Sequence, residues 1–160
     1  MKELKVGALR LILFLLILAN WPLDATEKPD LSHLKTWVGK YPTDEESKPP
    51  KNLFHRPEIQ NSLKKLLGKT DYKHLTEELS VETPIQIIRN FLVVKVCYPH
   101  CCPCDNAMLV INLDDTAFHA GFYERTDKQK FNTRWFSSTG DHLELPKEVL
   151  DIFLQTHETK

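Results

Sequence analysis

The stretch that decides the fold is FLVVKVCYPHCCPCDNAMLVINL, residues 91–113. It begins with an apolar, β-branched run over residues 91–96, and it ends with a second such run over residues 107–113. Runs of this length and composition are typical of buried strands. Because the segment that joins them is short, they predict two neighbouring antiparallel strands, with a cysteine-rich loop at the tip of the hairpin.

Outside this stretch, three further segments have the composition of strands: residues 85–88, 117–123 and 131–136. Each is rich in β-branched or aromatic side chains, which fit a pleated, half-buried surface. Asp114-Asp115 lies between two of the predicted strands and is a turn signal. The sequence therefore predicts a sheet of about five antiparallel strands.

Four segments have apolar residues at helical spacing: residues 31–39, 57–68, 70–79 and those that follow Pro146. In the first segment, Leu34, Trp37 and Val38 are at helical spacing, and Gly39 follows them. The second has Pro57 at its start and Gly68 at its end, the positions at which these residues favour helix boundaries. Helices followed by strands and then one helix indicate an α+β fold, an antiparallel sheet covered by helices.

Composition sets limits on the class of protein. The chain has 160 residues, of which 41% are hydrophobic and 27% are charged, which suits one globular domain with its own core. Its formal net charge is -1, so it lacks the basic character of proteins that bind nucleic acid or anionic membranes. We expect neither kind of partner.

The first residues differ from the rest of the chain. Lys2, Lys5 and Arg10 precede an apolar run over residues 11–19, which is much shorter than the roughly 20 residues that a membrane-spanning helix needs. This pattern is typical of a secretory leader, with a cleavage point after Ala25. We expect a signal peptide over residues 1–25, a single domain over residues 26–160, and a periplasmic or secreted protein that is not held in a membrane after cleavage.

Export affects the chemistry of the cysteines, because thiols form disulfides in oxidising compartments. All four cysteines lie within eight residues, so they can stiffen only one loop. From the residues alone, three pairings are open. The candidate site residues in and beside this loop are Cys97, Tyr98, Pro99, His100, Cys101, Cys102 and Cys104.

Two functions would depend on the chemistry of this cysteine and histidine cluster. Four thiols and the His100 imidazole have ligand chemistry that suits zinc or copper(I), but their spacing is too compressed for a paired zinc knuckle. A thiol-redox protein or a cysteine–histidine enzyme is the other alternative, but no third group is evident that would orient the pair. We therefore predict no catalytic residue, no metal and no cofactor. The remaining histidines are scattered, and we assign them no functional role: His33, His55, His74, His119, His142 and His157.

The loop resembles that of the Ivy family, which is named for the inhibitor of vertebrate lysozyme of the bacterial periplasm. Cys97, Pro99, His100 and Cys102 match the C-x-P-H-x-C pattern of the family's inhibitory loop. Three further blocks are similar and stand in the same order: residues 37–42, 66–69 and 107–113. The resemblance extends over residues 31–137 and implies a helix-covered antiparallel sheet that is often a homodimer.

The resemblance also implies a function and a disulfide. The Cys97–Cys102 loop would plug the active-site cleft of a lysozyme, of c-type by expectation, and His100 would contact the two catalytic carboxylates. Tyr98 would either contact the partner or pack on its neighbours. The chain departs from the family pattern at Cys101 and Cys104. We favour the Cys97–Cys102 pair, beside which a Cys101–Cys104 pair would stiffen the tip further. A Cys97–Cys101 bond would present His100 differently, and a bond between the adjacent Cys101 and Cys102 would be strained.

Overall fold

The computed structural model describes residues 28–127, 130–140 and 145–155. The predicted signal peptide over residues 1–25 lies outside the described residues. Within them, an antiparallel sheet carries helices on both of its faces. The α+β prediction is therefore confirmed.

Eight strands are present in the described residues: β1 Thr43–Asp44, β2 Lys51–Asn52, β3 Val81–Glu82, β4 Gln86–Ile88, β5 Phe91–Cys97, β6 Asp105–Asn112, β7 Phe118–Asp127 and β8 Lys130–Ser137. Strands β1 and β2 form a separate pair. The main sheet has six strands in the order β3-β5-β6-β7-β8, and β4 also pairs with β5. All of its pairings are antiparallel, and each strand predicted from the sequence belongs to it.

The helical elements of the described residues are a 3-10 helix at Ser32–Trp37, a 3-10 turn at Leu53–His55, α1 at Pro57–Lys73, a π-helical turn at His74–Glu78 and α2 at Lys147–Gln155. Within α1, Gly68 has φ 70° and ψ -174°, a backbone conformation that only glycine adopts readily. The helix breaks there, so the two helices predicted on either side of Gly68 follow each other almost without a gap.

Successive side chains of a strand point to opposite faces of a sheet, and both faces of this sheet are apolar. Leu92 and Val94 of β5 belong to the larger core, which is covered by the helical elements of residues 31–79. Val93 belongs to a smaller core on the other face, where Val149 and Phe153 of α2 are buried. This double covering explains why β5 and β6 read as continuous apolar runs and not as alternating ones.

Of the three residues at helical spacing in residues 31–39, one does not share the buried face. Leu34 and Trp37 are buried, whereas Val38 is 40% exposed. The first helical element is a 3-10 helix that ends at Trp37, and Val38 already has extended backbone angles, so helical spacing no longer applies to it. Among the described residues, no helix is both long enough and apolar enough to cross a membrane.

Candidate functional site

The cysteine loop lies at one end of the two central strands. Cys97 is the last residue of β5, and it pairs with Val81 of β3 on one side and with Asn106 of β6 on the other. The loop therefore leaves from and returns to strands that are held in register within the sheet. This arrangement fixes the position of both loop ends.

Two disulfide bonds cross-link the loop. Cys97 bonds Cys102, with their Cα atoms 4.8 Å apart, and Cys101 bonds Cys104, with Cα atoms 5.2 Å apart. All four cysteines are among the described residues and none is free. The first bond is the pair favoured from the sequence, and the second is the additional pair considered there. The two bonds interlock, because the second one starts inside the ring that the first one closes.

Backbone hydrogen bonds order the loop further. The Tyr98 amide donates to the carbonyl of Asp105 at 2.9 Å, and the Cys104 amide donates to the carbonyl of Cys101 at 2.9 Å. The Arg125 amide of β7 donates to the carbonyl of Cys104 at 2.7 Å. The loop is thus attached to a third strand besides the two that carry it.

The buried side chain of Asn106 is hydrogen-bonded to the backbone of the loop. Asn106 is only 4% exposed, and its Nδ2 donates to the carbonyl oxygen of Cys102 at 2.9 Å. A buried amide needs a hydrogen-bond partner, and here the partner is the backbone of the loop. Asn106 was not among the residues predicted from the sequence, although it lies only two positions after the last cysteine of the cluster.

His100 lies at the turn of the loop and is exposed. Its φ is 66°, in the left-handed region that non-glycine residues seldom occupy. Tyr98 is 50% exposed, while Pro99 between them is half-buried. The two larger side chains of the loop are therefore available to a partner, and the backbone beneath them is fixed.

Charged residues form a cluster beneath the loop. His74 contacts Glu78 and Asp105, while Arg134 contacts Asp71 at 2.7 Å and Glu124 at 2.7 Å. These bonds to two carboxylates, the one to Asp71 above all, raise the pKa of Arg134 above its usual range. The cluster joins α1 and the turn after it to β6, β7 and β8.

The cysteine loop offers no metal site. Its thiols are all bonded to one another, and disulfide sulfur is not the thiolate ligand that zinc or copper(I) takes. Among the described residues, no group of three or more histidine, cysteine, aspartate or glutamate side chains is placed to hold a metal ion. The metal-binding alternative is not favoured.

Comparison with known proteins identifies the family. Residues 58–159, most of the chain, match the family described as inhibitor of vertebrate lysozyme (Ivy). The chain belongs to this family. No curated protein and no solved structure matches significantly.

Family membership carries the coarse function. The family consists of inhibitor proteins and not of enzymes, and it implies lysozyme as the partner. Its members are periplasmic or secreted. The match includes the whole cysteine loop but begins after the block at residues 37–42, and it continues beyond residue 137 through α2.

Proposed function

We propose that this protein inhibits a lysozyme by inserting the Cys97–Cys102 loop into the active-site cleft, with His100 in contact with the catalytic carboxylates. The observation that carries the proposal is the exposed His100 on a loop with two disulfides and an anchor at Asn106. A loop ordered before binding loses less entropy in the complex, by about 0.5–1.5 kcal/mol for each flexible side chain already fixed.

The chemistry of His100 is complementary to that of a lysozyme active site. A lysozyme cleft holds one carboxylic acid that stays protonated and one carboxylate that is ionised. A neutral imidazole has one nitrogen that accepts a hydrogen bond and one that donates. His100 would accept from the acid and donate to the carboxylate. Cys97, Pro99, Cys101, Cys102 and Cys104 would contribute by shaping the loop, and Tyr98 would add apolar contact beside it.

Further features of the proposal come from the sequence and from the family. We propose a c-type lysozyme as the target, cleavage of a signal peptide over residues 1–25, and one domain over residues 26–160 that forms a homodimer. Mass spectrometry of the exported protein would give its first residue. Light scattering at several concentrations would give the number of chains in the assembly.

The test is inhibition of lysozyme by matched histidine variants. Replacing a central interface residue commonly costs about 2 kcal/mol or more, so we expect His100→Ala to weaken inhibition by about 30-fold. His100→Asn should do the same. It is the sharper variant, because asparagine tolerates the left-handed backbone at this position. Inhibition constants would be measured with c-type lysozyme and a suspension of bacterial cell walls.

His55→Ala is the control, since His55 is exposed and lies in the turn before α1. It should leave the inhibition constant unchanged. Inhibition by both His100 variants at the level of the unmodified protein would contradict the loop mechanism. Free thiols and bound zinc or copper in the purified protein would instead favour the metal-binding alternative.

A further inference from the structure

His74 connects the helical layer to the base of the cysteine loop. Its Nδ1 lies 3.0 Å from Glu78 Oε2, and its Nε2 lies 3.1 Å from Asp105 Oδ1. The ring also stacks on Phe122 of β7, with centroids 6.0 Å apart. The side chain is only 15% exposed. The imidazole is therefore held by contacts from three elements.

Asp105 is the first residue of β6, and its backbone is hydrogen-bonded to both sides of the cysteine loop. It follows Cys104 directly, its carbonyl accepts from the Tyr98 amide at 2.9 Å, and its own amide donates to the carbonyl of Cys101 at 3.2 Å. A contact that fixes the Asp105 side chain therefore acts on the backbone that supports His100.

The charges around His74 favour its protonated form. Glu78 and Asp105 each contact the His74 ring directly, and Glu124 Oε1 lies 3.8 Å from His74 Nε2. On the other side of these acids, Arg134 pairs with Glu124 and Asp71, and Lys73 lies 3.3 Å from Glu78. Lys69 lines the same surface pocket as His74 and Glu78. In the described residues, the ion pair of Asp105 is with His74.

We propose that His74 is a positioning residue for inhibition: by bridging Glu78 and Asp105 it holds the base of the cysteine loop against the helical layer, and it does so most firmly when protonated. This proposal rests on the proposed function, because it concerns the presentation of His100 to the lysozyme. His74 itself would not touch the partner.

The direction of titration agrees with this geometry. Burial disfavours the charged ring, but the hydrogen bond to Glu78 and the negative charges of Asp105 and Glu124 outweigh it and raise the pKa of His74 above 6.5. Burial also raises the pKa of Asp105, against the opposing effect of His74. A group whose pKa is higher in the folded protein stabilises it below the unfolded pKa and loses that effect as the pH rises through the folded value.

The test compares His74→Gln with His33→Gln. His33 also contacts a glutamate, Glu58, at 3.0 Å, but it lies in the first 3-10 helix and not beneath the loop. The inhibition constant would be measured with c-type lysozyme at about pH 5.5, 7 and 8.5, a range that spans histidine titration. Dividing the constant of each variant by that of the unmodified protein at the same pH removes the pH effects that the two proteins share, including those of the lysozyme.

For His74→Gln, we expect inhibition to be weakened about three- to tenfold at the lowest pH, because a charge-assisted contact is lost. The ratio of its inhibition constant to that of the unmodified protein should approach one at the highest pH. His33→Gln should give a ratio near one throughout. The Tyr98 and Cys101 amides of the free protein should also exchange hydrogen faster in His74→Gln. A ratio that does not change with pH, or a His74→Gln variant that matches His33→Gln, would overturn the proposal.

Asp105→Asn gives a second, independent measurement. It removes the carboxylate charge on the loop side of His74 but keeps a side chain of the same shape. On this background, His74→Gln should cost much less than it does alone, as expected for residues that act through each other. Equal costs on both backgrounds would contradict the bridge. If His100→Ala leaves inhibition intact, the loop mechanism fails, whereas amide exchange in the free protein still tests whether His74 orders the loop.

Discussion

At the scale of single residues, Asn106 and His100 have opposite environments and serve the same loop. Asn106 is buried and donates to the Cys102 carbonyl, while His100 is exposed and has left-handed backbone angles. Such a conformation persists only where the surroundings hold it. The anchor and the disulfides together supply that restraint.

Replacing Asn106 should therefore loosen the loop. Asn106→Asp keeps the shape of the side chain but removes its N–H donor. A carboxylate oxygen would then face the carbonyl oxygen of Cys102, and both are acceptors. We expect a loss of about 1–3 kcal/mol in the free energy of unfolding, together with weaker inhibition. Urea denaturation and the inhibition constant would measure the two effects.

Asn90→Asp is the matched control for this change. Asn90 donates to Asp114 at an exposed turn at the opposite end of the sheet. We expect its replacement to change stability by less than about 1 kcal/mol and to leave inhibition unaffected. Equal effects of the two replacements on inhibition would show that the Asn106 bond has no special role in the loop.

At the scale of elements, Arg134 ties the helical layer to the edge of the sheet. It lies on β8, contacts Asp71 of α1 and Glu124 of β7, and places its guanidinium over the rings of Phe122 and Phe136 at 5.2 and 5.7 Å. Guanidinium groups suit such a site because they are planar and have several donors in a fixed geometry.

We expect Arg134→Lys to destabilise the protein by about 1–2 kcal/mol, because lysine cannot serve both carboxylates and both rings. Arg89→Lys is the control: the Arg89–Glu148 pair is 66% and 55% exposed, and pairs of this kind contribute about 0–1 kcal/mol. Thermal unfolding of the two variants gives the comparison. Similar shifts in Tm would contradict the structural role assigned to Arg134.

The elements differ in how far the sequence predicts them. Residues 91–96 and 107–113 were recognisable as strands because burial on both faces makes them continuously apolar. Strand β3 escaped prediction because Val81–Glu82 is too short to show a pattern. The partners of His74 lie in distant elements, and Asp105 is 31 residues away along the chain. Only folding brings them together, so in the sequence His74 is one of the scattered histidines, to which no role was assigned.

At the scale of the whole molecule, the two disulfides are local cross-links, whereas the cores join distant parts of the chain. The disulfides span only 5 and 3 positions along the chain, whereas the apolar clusters on both faces of the sheet draw on residues from 31 to 153. Closing such short rings stabilises a fold by about 2 kcal/mol each. The fold therefore rests mainly on its apolar packing.

Reduction should accordingly abolish inhibition without unfolding the domain. We expect the reduced and alkylated protein to keep its far-ultraviolet circular dichroism spectrum and a cooperative melt at a lower Tm, while its inhibition of lysozyme is lost. The double variant Cys101→Ser, Cys104→Ser keeps the Cys97–Cys102 bond and should inhibit to an intermediate degree. Undiminished inhibition after complete reduction would contradict the role given to the disulfides.

The pairing of Cys97 with Asn106 across β5 and β6 has a consequence for engineering. The ends of the loop are set by the sheet and not by the residues at its tip, and loops between fixed ends tolerate exchange. Residues 98–101 can therefore be replaced by a foreign recognition peptide between Cys97 and Cys102, with Cys104→Ser made at the same time because the replacement removes its partner Cys101. The domain would then serve as a scaffold that displays constrained peptides.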